Sequence, residues 1–255
     1  MNAMEAPRVV ITGVSRGIGR ALALRLAAGG ARIGGIDRDQ SDDLAAEIAR
    51  AGGEAIIHVG DTRSTAAVDA LADEVAAAWG GIDGWVNNAA RLLVKPFLET
   101  TDDDWADLLD SNLMGYVRGC RAAARHMVPA ASGAIVNVGS GVETFPPTQM
   151  SAYVTAKGGI SGLTRALAVE LGPSGVTVNT VAPGATETPL NTGSWTEDVR
   201  ATYRDRIPLR RIAEAGDIAD AISFFLSPGA RYVTGQIVNV DGGLTLNGSV
   251  GHKQV

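Results

Sequence analysis

Short runs of β-branched residues alternate along the chain with longer segments that carry apolar residues at helical spacing. Residues 8–12 form the first such run, glycine follows at once, and apolar positions then recur every three or four residues over 18–28. This pattern is typical of a strand, a tight turn and a helix. The same order predicts strands over 31–36, 55–59, 82–86, 134–138, 176–181 and 237–240, and helices over 42–51, 66–79, 104–127, 151–171 and 218–226.

Strands that are separated by crossover helices predict an α/β fold, with a parallel sheet that is covered on both faces. No linker rich in Pro, Gly or Ser divides the sequence, so we expect a single domain over residues 1–255. The segment 185–208 breaks the alternation, because it is polar, contains Pro189, Gly193 and Pro208, and is longer than an ordinary connection. We expect this segment to form a loop with short helices that covers the site and contacts the substrate.

Composition and charge narrow the class of partner. Of the 255 residues, 45% are apolar and 20% are charged, which excludes a disordered chain. The net charge is −6 and there is no basic block, which argues against a nucleic-acid or anionic-membrane surface. The expected partner is a small molecule or a second copy of the chain. The sequence shows neither a secretory signal nor an apolar stretch of about 20 residues, so we expect a cytoplasmic protein.

The cysteine and histidines give no sign of thiol or metal chemistry. Cys120 is the single cysteine and lies in a predicted helix, where a buried, inert thiol is the commoner case. His58, His126 and His252 are scattered, and no group of Cys, His and carboxylate residues has the spacing of metal ligands. We therefore expect no catalytic metal.

The glycines of the first turn are spaced G-x-x-x-G-x-G and lie between the first predicted strand and helix. This is the place where the pyrophosphate of a dinucleotide meets a helix N-terminus. We expect Gly13 to allow the tight turn, Gly17 to let the backbone approach the phosphate, and Gly19 to allow close packing of helix on sheet. A plain turn is the alternative for an isolated glycine cluster, but the position directly after the first strand favours a dinucleotide site.

Asp37 ends the second predicted strand, 18 residues beyond Gly19. A carboxylate there can accept hydrogen bonds from the adenosine ribose hydroxyls and repel a 2′-phosphate, which favours NAD. Arg16 and Arg38 could instead pair with such a phosphate, so NADP is the alternative. Asp37 could also be a simple turn residue.

Further motifs follow the glycine turn in a consistent order. They are Asp61, the segment Asn87-Asn88-Ala89-Ala90, Asn112, Ser140, the pair Tyr153 and Lys157, and the segment Pro183-Gly184 with Thr188. Over nearly its whole length the chain resembles the short-chain dehydrogenase/reductase family. The resemblance implies a doubly wound Rossmann fold of about seven strands and a catalytic tetrad of Asn112, Ser140, Tyr153 and Lys157. Ala90 stands where the family usually has Gly, and we expect the added methyl group to be tolerated.

The resemblance and the glycine turn together imply a set of residues that bind the dinucleotide. This set comprises Thr12, Gly13, Ser15, Arg16, Gly17, Ile18, Gly19, Asp37, Arg38, Asp61, Thr62, Asn88, Ala89, Ala90, Tyr153, Lys157, Pro183, Gly184, Thr186 and Thr188.

The spacing within the tetrad suggests how it would work. Tyr153 and Lys157 are four residues apart in a predicted helix and therefore share one face, where the ammonium is expected to lower the tyrosine pKa from about 10. Ser140 follows a strand and would emerge at the carboxyl edge of the sheet, where it could bond the substrate oxygen. By resemblance, Asn112 anchors a water that relays protons to Lys157. The alternatives are a core tyrosine beside a surface lysine, and a turn role for Ser140.

These observations predict reversible hydride transfer between NAD(H) and a secondary alcohol or ketone. An NADPH-dependent 3-oxoacyl or carbonyl reductase is the nearest alternative, because the same tetrad would serve it. A nucleotide-binding sensor that lacks catalysis is an alternative of another class. A serine hydrolase is disfavoured, because Val138 and Val142 occupy positions that a G-x-S-x-G elbow gives to glycine.

The resemblance also implies a homo-oligomer, either a dimer or a tetramer, built through the segments 104–127 and 151–171 and the last strand. Residues 247–255 either reach a neighbouring site or fray. The pocket walls are expected from residues 91–97, 142–150 and 185–203, and their composition does not name the substrate.

Overall fold

The computed structural model describes residues 6–191 and 195–247. Within these ranges the strands are β1 (Arg8–Thr12), β2 (Arg32–Asp37), β3 (Glu54–Val59), β4 (Gly84–Asn87), β5 (Gly133–Val138), β6 (Val176–Pro183), β7 (Thr186–Glu187), β8 (Ala213–Glu214) and β9 (Ile237–Val240). Seven of them form one sheet in the order β3-β2-β1-β4-β5-β6-β9, and every pair in it is parallel. The predicted doubly wound parallel sheet is confirmed.

The helices of the described ranges connect these strands. They are α1 (Gly17–Ala27), α2 (Leu44–Ala51), α3 (Thr65–Trp79), α4 (Asp102–Leu109), α5 (Gly115–Ala130), α6 (Ser151–Leu171), α7 (Glu197–Arg206) and α8 (Ala215–Leu226). None of these helices is long and apolar enough to cross a membrane.

Alternate residues of each strand pack into two separate cores. Val9 and Ile11 of β1 face a core that α1, α2 and α8 cover, whereas Val10 faces a core that α3, α5 and α6 cover. A strand that is buried on both faces explains why the sequence shows continuous β-branched runs rather than alternating polar and apolar positions.

Three differences from the predicted elements concern the parts that surround the site. The helix predicted over 104–127 is divided by a π turn at Asp110–Met114, which separates α4 from α5. The two-residue strands β7 and β8 pair with each other and were not predicted, because they are too short to show a periodic pattern. The predicted loop 185–208 contains β7 and α7, while its residues 192–194 lie outside the described residues.

The strand order places a crevice at the carboxyl edge of the sheet. β1 pairs with β2 on one side and with β4 on the other, so the connections after β1 and β4 leave toward opposite faces. Open α/β sheets bind their ligands at such a point. The fold therefore brings the glycine turn after β1 next to the segment after β4.

Candidate active site

The crevice at this sheet edge has two adjoining parts. Both are lined by Ile18, Asn88, Ala90, Thr188 and Leu190, so they are continuous. We call the part beside the glycine turn the dinucleotide cleft; its other predicted lining residues are Gly13, Arg16, Gly17, Asp37, Arg38, Asp61, Thr62 and Ala89. We call the second part the substrate cavity, which has a volume of about 760 Å³; its predicted lining residues include Ser140, Tyr153, Lys157, Pro183, Gly184 and Thr186.

The glycine turn can be built only from glycine at its critical positions. Gly13 and Gly17 have φ of +68° and +55°, which lie in the left-handed region. A Cβ atom on Gly19 would lie 2.0 Å from the Gly13 carbonyl oxygen. The same Cβ atom would lie 2.8 Å from the Asn88 side-chain nitrogen, so Gly19 lets α1 approach the turns after β1 and β4 closely. The predicted reason, close packing of helix on sheet, stays a prediction.

The helix α1 begins at Gly17 with Arg16 as its N-cap residue, and Arg16 gives no side-chain hydrogen bond to the first turn. The first turn also holds no acidic residue. Its N–H groups are therefore not capped by a side chain, and a Cβ atom on Gly17 would meet nothing closer than 3.5 Å. A helix start that lines the cleft and that no side chain caps fits a pyrophosphate.

Thr12 and Asn88 fasten the turn after β1 to the turn after β4. The Asn88 side-chain amide donates to the carbonyl oxygens of Thr12 (3.0 Å) and Gly13 (2.9 Å). The Thr12 hydroxyl oxygen accepts from the N–H groups of Asn88 (2.9 Å) and Ala89 (3.1 Å). Thr12 is buried and does not line the cleft, so its contribution is to hold the glycine turn in place.

Asp37 is held in a fixed orientation at the end of β2. Its Oδ2 atom accepts from the backbone N–H (3.0 Å) and the hydroxyl (2.6 Å) of Ser15, and its Oδ1 atom accepts from the Asp39 N–H (3.2 Å). A carboxylate has about four lone-pair sites, so acceptor capacity remains toward the cleft. Of the two predicted partners for a 2′-phosphate, Arg16 forms an ion pair with Asp39, and Arg38 also lines the cleft.

Asp61 lies in a network of charges at the outer end of the cleft. Burial acts to raise the pKa of Asp61, but hydrogen bonds from the Arg63 guanidinium and backbone outweigh it and leave the pKa below its usual value. Arg63 also donates to Asp107 (2.6 Å), which in turn pairs with Arg91. Arg63 and Arg91 both line the cleft. Arg91 was predicted only as part of the substrate pocket wall, and Arg63 was not predicted, because a single arginine carries no local pattern.

Ser140 and Tyr153 meet in the substrate cavity. Ser140 follows β5 and is the N-cap residue of a 3₁₀ turn at Gly141–Glu143, where its hydroxyl oxygen accepts from the Val142 N–H (3.4 Å). Tyr153 lies in the first turn of α6, is 7% exposed, and lines the same cavity as Ser140, whose hydroxyl acts to lower the pKa of the Tyr153 phenol. The two hydroxyl groups therefore lie side by side at the cavity wall.

Lys157 lies one helical turn beyond Tyr153 on the same face of α6, as predicted, with its Nζ atom 5.7 Å from the centre of the Tyr153 ring. The ammonium donates to the Val138 carbonyl oxygen (2.7 Å) and to the Tyr116 hydroxyl (3.2 Å). The Tyr116 hydroxyl in turn donates to the same carbonyl (3.0 Å). Lys157 is thus held between β5 and α5.

The pKa values differ from the predicted ones. Burial raises the pKa of Tyr153 to about 12, although the neighbouring Ser140 side chain acts in the opposite direction. Burial also lowers the pKa of Lys157 to about 7, opposed by the nearby Glu143 carboxylate. The predicted lowering of the Tyr153 pKa is not found in this structure, because desolvation raises the pKa and the Lys157 ammonium is directed to the Val138 carbonyl.

Asn112 lies in the π turn and is fully buried. Its Oδ1 atom accepts from the Arg91 N–H (2.8 Å) and the Ser111 hydroxyl (2.9 Å), and its Nδ2 atom donates to the Arg91 carbonyl (2.7 Å). The side chain therefore fixes the backbone after β4 and does not line the substrate cavity. The predicted proton relay through Asn112 stays a prediction.

Two further side chains near the tetrad were not predicted. Tyr116 lies four residues beyond Asn112. Glu143 lies three residues beyond Ser140, and its carboxylate accepts a hydrogen bond from the Ser161 hydroxyl (2.6 Å). The helical spacing from Asn112 could have indicated Tyr116. No local pattern indicates Glu143, because its partners Ser161 and Lys157 lie on another element.

The remaining candidates stay outside the site. Cys120 is buried and its sulfur accepts from the Asn87 amide (3.3 Å), and burial raises its pKa to about 12, which confirms the predicted inert thiol. His58 and His126 pair with Glu74 and Asp73, and His252 lies outside the described residues. Within residues 6–191 and 195–247, no group of three or more His, Cys, Asp or Glu residues could hold a metal ion.

Comparison with known proteins gives consistent results. A family model described as enoyl-(acyl carrier protein) reductase matches residues 13–245. The chain is 40% identical over 238 residues to cis-4-hydroxycyclohexanecarboxylate dehydrogenase of Sinomonas cyclohexanicum, covering 92% of this chain and 95% of that protein. It is 37% identical over 246 residues to the 3-oxoacyl-(acyl-carrier-protein) reductase FabG of Vibrio harveyi, covering 94% and 98%. The solved structure of levodione reductase matches with a TM-score of 0.88 and 31% identity, covering 94% and 98%.

Proposed function

Since the chain belongs to the short-chain dehydrogenase/reductase family and is an oxidoreductase of that kind, we propose that it oxidises a secondary alcohol with NAD, or reduces the corresponding ketone with NADH, through Ser140, Tyr153 and Lys157. The observation that carries this proposal is that Ser140, Tyr153 and Lys157 line one cavity that is continuous with the dinucleotide cleft. Two hydroxyl groups placed beside a dinucleotide site suit proton exchange with an alcohol oxygen.

The residues of the cleft fit a nicotinamide dinucleotide. The uncapped first turn of α1 suits the pyrophosphate, and Asp37 suits the hydroxyls of the adenosine ribose. Pro183, Gly184, Thr186 and Thr188 line the substrate cavity, where the nicotinamide would be held. When bound, the dinucleotide supplies the acceptor or donor of the hydride.

The chain's own residues position the alcohol and move its proton. Ser140 holds the substrate oxygen. The Tyr153 phenolate takes the proton from that oxygen during oxidation, and the Tyr153 hydroxyl gives a proton to it during reduction. Lys157 supplies positive charge beside the phenol, and Glu143 favours the charged form of Lys157. The pKa of Tyr153 in this structure is about 12. Proton transfer therefore requires the positive charge of Lys157 to lower the pKa of the phenol when substrate and dinucleotide are bound.

We favour NAD over NADP because Asp37, at the end of β2, is a carboxylate of the cleft that is held in a fixed orientation. Three hydrogen bonds hold its carboxylate, whereas the exposed Arg16 is already paired with Asp39. A 2′-phosphate beside Asp37 would be repelled.

The similarity to cis-4-hydroxycyclohexanecarboxylate dehydrogenase supports a ring alcohol as substrate. The substrate cavity agrees with this, because apolar side chains form much of its wall. They include Leu92, Val94, Val142, Phe145, Met150 and Trp195. A 3-oxoacyl thioester is the second candidate, and the similarity to the Vibrio harveyi reductase and the matching family model support it.

The experiment that tests the proposal is a panel of secondary alcohols and ketones, assayed by the absorbance of reduced nicotinamide with each dinucleotide. The panel includes cyclohexanols with and without substituents, and a 3-oxoacyl thioester with NADPH. We expect NAD-linked oxidation of a ring alcohol. Turnover of the thioester with NADPH alone would favour the second candidate, and no turnover on any compound, despite measurable NAD binding, would contradict both.

A further inference from the structure

The substrate cavity carries two charged side chains at its outer wall. Asp198 and Arg206 both belong to α7 and line the cavity, whereas Lys157 is buried at its inner end. The two residues are eight positions apart in the helix, which places them on one face and about 12 Å apart along the axis. At that distance the two charges do not form an ion pair, so each acts on its own part of the cavity.

Most other arginines around α7 are paired with carboxylates. Arg200 donates to Glu187 (2.8 Å), Arg204 forms an ion pair with Glu197, and Arg210 pairs with Asp205 (3.1 Å). Arg206 differs from these arginines. Its guanidinium lies over the ring of Phe145, at 4.8 Å from the ring centre, and among the described residues it forms no ion pair with a carboxylate. The cation at the cavity wall is therefore held by an aromatic ring and not neutralised by a carboxylate.

Phe145 connects Arg206 to the turn that follows Ser140. Its backbone N–H donates to the carbonyl of Gly141 (2.9 Å), which begins the 3₁₀ turn that Ser140 caps. A guanidinium that lies over an aromatic ring keeps its in-plane N–H groups available, and these donors match the two oxygens of a carboxylate. The ring therefore places a carboxylate-binding group at a defined position relative to Ser140.

We propose that Arg206, positioned by Phe145, binds a carboxylate group of the substrate at the end remote from its hydroxyl. This inference rests on the proposed function and names the substrate class as an alcohol that carries a single negative charge. A carboxylate with a single charge fits better than a phosphate dianion. Arg206 is the cation that α7 contributes to the cavity wall, and Asp198 on the same helix repels further negative charge.

The test compares 4-hydroxycyclohexanecarboxylate with its neutral carboxamide, which has nearly the same shape. The wild type is expected to prefer the acid by about tenfold or more in kcat/KM, mainly through KM, and 0.5 M salt is expected to reduce this preference. In Arg206→Gln the acid-to-amide ratio of kcat/KM should fall about tenfold or more. Arg204→Gln, which removes a paired arginine that does not line the cavity, is the matched control and should keep the wild-type ratio.

Calorimetric binding of the acid and the amide to the NAD-loaded protein gives a second readout that does not need turnover. Weaker binding of the acid in Arg206→Gln, but not in Arg204→Gln, would support the inference even if no compound were oxidised. Equal acid-to-amide ratios of kcat/KM and equal binding in wild type and Arg206→Gln would overturn it. If neutral cyclohexanols were oxidised while Arg206→Gln had no effect on the acid, the inference alone would fail and the proposed function would stand.

Discussion

At the residue scale, burial is the dominant influence on the catalytic pair. It raises the pKa of Tyr153 to about 12 and lowers that of Lys157 to about 7, so both side chains favour their neutral forms near neutral pH. An alcohol dehydrogenase needs the opposite state, a phenol that gives up its proton beside an ammonium. Burial therefore makes the charged form of Lys157 unfavourable in the folded protein, and this has a measurable consequence for stability.

Lys157→Met is expected to be more stable than the wild type at low pH. Below pH 7 the lysine is charged in both the folded and unfolded states, and the folded state carries the full cost of burying the charge. Between pH 7 and the unfolded-state pKa of 10.5, only the unfolded state keeps the proton on Lys157. The contribution of Lys157 to the free energy of unfolding of the wild type therefore rises with pH. The Tm advantage of Lys157→Met should thus shrink by about 5 °C between pH 6 and pH 9. An advantage that is constant or grows with pH would contradict the assigned direction of the pKa.

Asp37→Ala is expected to change the dinucleotide preference. The variant loses the acceptor for the ribose hydroxyls and the repulsion of a 2′-phosphate, so the ratio of kcat/KM for NAD to that for NADP should fall about 10- to 100-fold. Asp42→Ala, which removes an exposed carboxylate that pairs with Gln40 in the same loop, is the control and should leave the ratio unchanged. An unchanged ratio in Asp37→Ala would show that Asp37 acts only through its bonds to Ser15.

At the element scale, the turn between β1 and α1 determines whether the dinucleotide cleft exists. Gly19→Ala would place a Cβ atom 2.0 Å from the Gly13 carbonyl oxygen, and the turn can relieve this contact only by moving. We expect the Kd for NAD to rise about tenfold or more and the Tm to fall. Gly216→Ala, in the first turn of α8 where a Cβ atom meets nothing within 4 Å, should keep both values or raise the Tm slightly. Tight NAD binding by Gly19→Ala would contradict the role of this turn.

The sequence predicted the elements well because strands buried on both faces and amphipathic helices leave strong periodic patterns. The family resemblance grouped Ser140, Tyr153 and Lys157, and the predicted elements agreed with it by placing Ser140 after a strand and the other two on one helix face. The sequence could not show the π turn at Asn112, which depends on the side-chain amide bonding the distant Arg91 peptide. It could not show burial of the Tyr153 hydroxyl either, and therefore gave the wrong direction for its pKa.

The sequence also did not reveal which side chains from distant segments of the chain contact each other. Arg206 and Phe145 are far apart in the chain and meet only because α7 lies over the turn after β5. The interpretation of 185–208 as a substrate-binding segment stays a prediction, which the variants of Arg206 address.

At the scale of the whole molecule, the surface near the edge strand β9 suggests self-association. Val169 of α6 is 80% exposed, Tyr232 is fully exposed, and the edge strand itself exposes Val238. An open strand edge beside apolar side chains is a surface that proteins commonly cover. We expect light scattering after size exclusion to give a mass of two or four times 26.2 kDa. A mass of one chain at all concentrations tested would contradict this expectation.

The central claim, that Tyr153 carries the proton of a secondary alcohol during NAD-linked hydride transfer, is tested most directly by the turnover of Tyr153→Phe. The substrate for this assay is the best alcohol found in the panel, and NAD binding is measured on the same preparation. We predict that kcat falls about 100- to 10,000-fold while the Kd for NAD changes less than about threefold, because only the hydroxyl is removed. Tyr232→Phe, which removes an exposed hydroxyl, is the matched control. A Tyr153→Phe variant that kept most of the wild-type kcat would contradict the claim.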